Sequence, residues 1–206
     1  MTMRIFAAAL LAALPAPLLA QVASAPAPAA QAQESLVPVA IDTSAGRIVV
    51  AIDQGRAPVT AANFLRYVDA HRLDGESFYR AMHSETSNLI QGGVRSDARK
   101  LYPPIAHEPT SQTGLKNVAG AISMANGGAG TARADFFILV NDVPGFDADG
   151  PGGDSTGFAV FGHVVEGMDV VKKIWDAPVS ETKGEGPMKG QMLEPTIKII
   201  KAARVK

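Results

Sequence analysis

The chain contains no cysteine. That excludes disulfides, thiolate catalysis, zinc ribbons and a lipid-modified cysteine anchor, and it leaves no thiol to oxidise outside the cytoplasm. Neither charge is in surplus: 19 basic residues stand against 20 acidic ones, for a net charge of −1. With no basic excess to neutralise phosphates, nucleic acid is not an expected partner. The four histidines, His71, His83, His107 and His163, are scattered without metal-ligand spacing, so no metal is expected. The paired glycines Gly92-Gly93, Gly127-Gly128 and Gly152-Gly153 are turn residues, not phosphate loops. Ser123, in Ala121-Ile122-Ser123-Met124-Ala125, is a strand residue and not a nucleophile elbow. Asp147-Ala148-Asp149-Gly150 and Gly152-Gly153-Asp154 lack the rest of a calcium loop and read as solvated turns. No cofactor signature and no internal repeat is present.

What is present begins with a targeting segment. Arg4 precedes an apolar run from Ile5 to Leu14, broken by Pro15 and Pro17 and followed by small residues. This is the layout of a signal peptide. The run falls short of the ~20 residues that span a bilayer, which disfavours the alternative of an uncleaved anchor. Cleavage after Ala20 is expected; Pro26 disfavours the other site at Ala23-Ser24-Ala25. Residues 1–20 are thus the signal peptide. Residues 21–35, rich in Ala, Pro and Gln, are a flexible tether that cannot bury enough apolar surface to order itself. Leu36–Lys206 is the folded domain. No later apolar run can cross a membrane, so the mature protein is expected in the periplasm or secreted, as a monomer with no stable membrane insertion.

Within the domain, Val37–Ile41 and Arg47–Ile52 read as a β-hairpin around a turn over Asp42–Gly46. Pro58–Arg72 reads as a helix with Pro58 in its first turn and an apolar face of Ala62, Phe64, Leu65, Tyr67 and Val68. Strands are expected over Ser77–Met82, Val118–Ala125, Phe136–Val140, Phe158–Val165 and Thr196–Ile200. A second helix is expected over Gly167–Trp175, with Met168, Val171 and Trp175 on one face. Ser84–Asn117 and Asn141–Gly157 read as long loops of functional type. The order lacks βαβ alternation, so a mainly β, mostly antiparallel barrel flanked by two helices fits better than a doubly wound sheet.

Five segments then follow one another: Phe78-Tyr79-Arg80, Gln91-Gly92-Gly93, Ser123-Met124-Ala125-Asn126, Phe136-Phe137-Ile138, and Val160-Phe161-Gly162 running on to Gly167-Met168. In this order the sequence resembles the cyclophilin family, across most of Val37–Lys206. The resemblance implies an eight-stranded antiparallel barrel capped by two α-helices, with a groove on its outer face that binds a peptide around a proline. It implies peptidyl-prolyl cis-trans isomerase activity on proline-containing, unfolded or partly folded polypeptides, assisting their folding as a chaperone does. Arg80, Gln91 and Phe137 match the catalytic residues. Leu89, Ala125, Asn126, Phe146 and Phe158 match or approach the substrate-binding positions. No cofactor is implied.

The residues suit that chemistry. Rotation about a peptide C–N bond breaks amide resonance and needs no nucleophile, metal or net proton transfer. A cationic donor at the prolyl nitrogen or the adjoining carbonyl stabilises the twisted state, and an arginine fork does this better than lysine. Adjacent strand residues face opposite ways, so Phe136 is expected in the core and Phe137 in the groove. Several positions depart from the family pattern. Extra residues lie within Ala81–Ile90, Asn88 stands where a pocket phenylalanine is expected, and Asp135 replaces the glutamine just before the Phe-Phe pair, where a carboxylate near Arg80 is expected either to hold it or to draw its charge from substrate. The lone Trp175 lies outside the pocket. These departures motivate a second reading, a non-catalytic peptide-binding module on the same scaffold. A third, an unrelated ligand-carrying barrel, predicts a hollow interior.

Overall fold

The computed structural model describes residues 35–95 and 97–205. The expected signal peptide, and the tether as far as residue 34, lie outside the described residues.

Among the described residues, nine strands form one sheet. They are β1 (Leu36–Thr43), β2 (Gly46–Asp53), β3 (Ser77–Met82), β4 (Leu89–Gly93), β5 (Ala121–Met124), β6 (Phe136–Leu139), β7 (Val160–Glu166), β8 (Val179–Ser180) and β9 (Met192–Arg204). The order β1-β2-β7-β5-β6-β4-β3-β9 closes on itself where β1 pairs with β9, and every pairing is antiparallel. These eight strands are the expected barrel. The two-residue β8, which nothing in the sequence marked, flanks β9.

The hairpin turn is tighter than expected. Thr43 pairs with Gly46, leaving only Ser44 and Ala45 between the strands. The Thr43 hydroxyl closes this turn, donating to the Gly46 carbonyl at 2.7 Å and accepting from the Ala45 and Gly46 amides at 3.1 Å. β4 is a correction, because it lies inside the expected Ser84–Asn117 loop and all five of its residues are buried. Its glycines look like turn signals but serve close approach. A Cβ on Gly92 would lie 2.9 Å from the Phe78 ring, and one on Gly93 would lie 2.6 Å from the Asp135 Cα. β5 is shorter than expected because Gly120 takes φ +81° and turns the chain. β9 is much longer, since it must reach both β3 and β1 to close the barrel.

Helix α1 (Pro58–Asp69) starts at Pro58 as expected but lacks a local side-chain cap. The buried Glu108 carboxylate supplies it, accepting from the Val59 amide at 3.0 Å and the Thr60 amide at 2.7 Å. These are orphan donors of the first turn, where a negative charge is also favoured. The helix stops before Arg72 because His71 takes φ +54°. Ala61, not the exposed Ala62, lies on its buried face. A single turn, α2 (Thr110–Thr113), adds to the two expected helices. In α3 (Met168–Trp175) the buried positions are Val171 and Ile174, while Met168 and Trp175 are half-buried.

The barrel interior is filled. Phe64 from α1 meets Phe136 edge-on at 5.4 Å and Phe161 at 5.2 Å, and Phe78 meets Phe136 at 5.7 Å. All four rings are at most 1 % exposed, which removes the hollow-barrel reading. Strand alternation sends Ile90, Phe136 and Ile138 into this core. It sends Leu89, Phe137 and Leu139 to a second apolar cluster on the outer surface. The Phe136→Ala variant is expected to lose about 3–5 kcal/mol of unfolding free energy in a chemical denaturation experiment. A loss below about 1 kcal/mol would show that Phe136 is not the centre of the core.

Candidate active site

The site is built on a β-bulge. On β3, Phe78 pairs with Gly92 and Arg80 with Gln91, so Tyr79 is the extra residue. A bulge of this kind bends the strand and re-aims its side chains. Phe78 and Ala81 point into the core, each 0 % exposed, while Tyr79 and Arg80 both face outward.

Arg80 is held from three directions. Its Nη1 donates to Gln91 Oε1 at 2.8 Å, its Nε to Gln191 Oε1 at 2.8 Å, and its Nη2 to the Met82 sulfur at 3.2 Å. Burial lowers its pKa, and the neighbouring Tyr79 pulls it back up. A guanidinium starts high enough to stay charged throughout. Gln91 Nε2 in turn donates to the Tyr79 hydroxyl at 2.7 Å, and that hydroxyl donates to Asp135 Oδ2 at 3.0 Å. The expected contact between Asp135 and Arg80 is therefore corrected: the carboxylate reaches the arginine only through two intermediaries.

All eight residues nominated from sequence, Arg80, Gln91, Phe137, Leu89, Ala125, Asn126, Phe146 and Phe158, line one hollow of about 280 Å³. Phe137 forms its floor, 3 % exposed, as the alternation argument expected. Phe158 stands edge-on to it at 5.2 Å and Phe146 at 5.8 Å, and the last two rings meet at 4.8 Å. The loop carrying these rings is tied down from below. Asn117 Nδ2 donates to the Phe146 carbonyl at 3.0 Å, and its backbone amide donates to Asp147 at 2.9 Å. Ser123, fully buried, donates to Asn117 Oδ1 at 2.8 Å. Asp147 also pairs with Lys116 at 3.5 Å, and Asp154 accepts from the Thr156 and Gly157 amides. These acidic groups are thus engaged in holding loop backbone. Asn126 Oδ1 accepts from the Gly128 amide at 2.9 Å, while its Nδ2 has no partner among the described residues.

Three members were missed. Met82, two residues beyond Arg80 and on the same face, was legible from alternation alone. Met188 and Gln191 come from the segment before β9, and no local signal ties them to residues a hundred positions earlier. Asn88 lies outside the hollow, where its side chain accepts from the Ser84 amide at 3.1 Å. Trp175 is also outside, donating to the Met82 carbonyl at 2.8 Å beside His83. Neither departure that favoured a non-catalytic module, Asn88 or Asp135, therefore touches the guanidinium.

The chain matches the family model described as "Cyclophilin type peptidyl-prolyl cis-trans isomerase/CLD" over residues 38–203. It is 35 % identical over 171 residues to peptidyl-prolyl cis-trans isomerase A of Dickeya dadantii, covering 81 % of this chain and 83 % of that one. It is 36 % identical over 140 residues to peptidyl-prolyl cis-trans isomerase B of Escherichia coli, covering 66 % and 82 %. A crystal structure of a Cryptosporidium parvum cyclophilin type isomerase, in the presence of the dipeptide Ala-Pro, shares the fold. Its TM-score is 0.65 at 18 % identity, covering 82 % of this chain and 99 % of that one.

Removing the Gln191 clamp is expected to loosen the guanidinium without touching the hollow's apolar floor. In the Gln191→Ala variant kcat on a proline-containing test peptide should fall about 3- to 10-fold, the worth of one hydrogen bond. An unchanged kcat would show that Gln91 and Met82 suffice to hold Arg80.

Proposed function

The chain belongs to the cyclophilin-type peptidyl-prolyl cis-trans isomerases and is an enzyme of that activity, and we propose that its substrates are exported, proline-containing polypeptides that are unfolded or partly folded. The single observation that carries the mechanism is a charged arginine, held at three atoms, on the lip of an aromatic hollow.

Uncatalysed rotation about an X-Pro bond takes tens to hundreds of seconds because it must break amide resonance, a barrier of ~18–20 kcal/mol. Only interactions stronger with the twisted amide than with the planar one accelerate it. A guanidinium has five N–H donors. Three are engaged by Gln91, Gln191 and Met82, which leaves two to meet the substrate. In the twisted state the prolyl nitrogen regains its lone pair, and these donors meet that lone pair or the neighbouring carbonyl. The protein groups are already oriented, so little reorganisation is needed as the charge develops. Leu89, Phe137, Phe146 and Phe158 seat the proline ring and keep water away from it. Main-chain groups at Ala125 and Asn126 hold the residue before proline. No bond is made or broken, so the enzyme returns unchanged after each rotation.

Export rests on the sequence. Residues 1–20 have the layout of a signal peptide, residues 21–35 serve as a tether, and Leu36–Lys206 is the working domain. A periplasmic or secreted protein that meets newly translocated chains is the reading that layout supports.

The experiment is isomerisation of an Ala-Pro test peptide by protein recovered from the exported fraction of a bacterial host, where its N-terminus is expected at Gln21. The wild type should accelerate the reaction, and Arg80→Ala should lower kcat by about 100- to 1,000-fold, the usual loss when one charge-stabilising donor is removed. Wild-type rates in Arg80→Ala would contradict the mechanism. Recovery only from the cytoplasm, with Met1 or Thr2 first, would contradict the export reading.

A further inference from the structure

The hydrogen-bond line behind Arg80 has a property that its individual distances do not state. We propose that Tyr79 and Asp135 are a positioning pair that fixes which end of the Gln91 amide faces Arg80. This rests on the reading of Arg80 as the group that stabilises the twisted amide.

The oxygen and nitrogen ends of a glutamine amide have nearly the same size and shape, so packing alone does not choose between them; the hydrogen-bond partners do. Gln91 is only 6 % exposed, and each end of its amide has a protein partner. Arg80 can only donate, and an ionised carboxylate can only accept; burial raises the pKa of Asp135, the Tyr79 hydroxyl and Arg95 oppose that rise, and the line described is that of the ionised form. Between these two ends lie Gln91 and Tyr79, at 2.8, 2.7 and 3.0 Å along the line. With a pure donor at one end and a pure acceptor at the other, one arrangement of protons satisfies every link. Asp135 takes the hydroxyl proton of Tyr79. Tyr79 must then accept from Nε2 of Gln91. Gln91 must then offer Oε1 to Arg80. With a neutral residue able both to donate and to accept at position 135, only the donor–donor contact at Arg80 would oppose a reversed line, in which the Gln91 NH2 group faces the guanidinium.

Two further features fit a device of this kind. Asp135 Oδ1 is buried without a hydrogen-bond partner among the described residues, so the fold tolerates a half-satisfied carboxylate here. Stability alone does not favour that, and such broken rules gather at functional sites. The approach is so close that a Cβ on Gly93 would lie 2.2 Å from that oxygen, so the glycine is what admits the carboxylate. Tyr79 itself stays a donor, because burial and the adjoining carboxylate push its pKa well above the usual tyrosine value. Arg95, 4.4 Å over the Tyr79 ring, and Glu76 are further charged groups that act on the pair: Arg95 favours the ionised form of Asp135 and Glu76 opposes it.

The test is a double-mutant cycle on the full chain, using an Ala-Pro test peptide. Tyr79→Phe keeps the ring and removes the hydroxyl. In the wild-type background it should lower kcat about 3- to 10-fold, with KM within about twofold, the equivalent of one hydrogen bond. In a Gln91→Glu background either orientation of the side chain presents an oxygen to Arg80. There the same substitution should change kcat by less than about twofold, since the link it removes no longer orients anything. Equal losses in both backgrounds would overturn the proposal, because Tyr79 would then act by packing alone; so would no loss in the wild-type background. A readout independent of turnover separates this from a failure of the Arg80 reading. The Nε2 protons of Gln91, followed by NMR, should exchange with solvent at least about fivefold faster in Tyr79→Phe, as loss of a bond worth ~1 kcal/mol or more implies. Unchanged exchange overturns the pairing, whatever Arg80→Ala does to catalysis.

Discussion

A cation that catalyses by its charge must be kept partly dry and still be held, and the site is arranged around that requirement. Arg80 loses solvation by lying against the barrel wall, which lowers its pKa. Three hydrogen bonds from separate stretches of chain offset that cost and fix the direction of its remaining donors. The bulge at Tyr79 makes this possible. Without the extra residue, Phe78 and Arg80 would share a face, and either the ring would leave the core or the arginine would enter it.

The filled barrel follows from the same division of labour. Phe64, Phe78, Phe136 and Phe161 occupy the interior so fully that binding is left to the outer surface. There the neighbours of the core residues, Leu89 and Phe137, form the base of a second apolar cluster. Phe146 and Phe158 complete it from a loop tied down by the buried knot of Ser123, Asn117 and Asp147. Packing in the core and binding in the groove are thus two faces of the same strands. Rigidity in one is transmitted directly to the other.

Much of this was legible in the chain because it depends on short-range patterns. Adjacent phenylalanines in one strand must part company, and Phe136 and Phe137 do. The ordered motifs carry Arg80, Gln91, Ala125, Asn126 and Phe137, and the family resemblance adds Leu89, Phe146 and Phe158; all eight line one hollow. What was not legible depends on distance or on glycine. β4 was hidden because Gly92 and Gly93 signal turns, whereas here they admit Phe78 and Asp135 at close range. Glu108 caps a helix 48 residues upstream, and Gln191 reaches Arg80 across 111 residues; no local pattern encodes either. Asp135 looked like a threat to Arg80 because sequence shows proximity along the motif and not the tyrosine that stands between.

Arg80 is already aimed in the free enzyme, so that catalysis needs little reorganisation when the amide twists. Nitrogen-15 NMR of the Arg80 guanidinium, in protein without peptide, tests this directly. A guanidinium held at Nε, Nη1 and Nη2 should show a slowly exchanging Nε proton and separately resolved, slowly rotating Nη groups, with little change when an Ala-Pro peptide is added. A fast-exchanging, motionally averaged signal that becomes resolved only on peptide binding would contradict the account, since the substrate would then be doing the work assigned to Gln91 and Gln191.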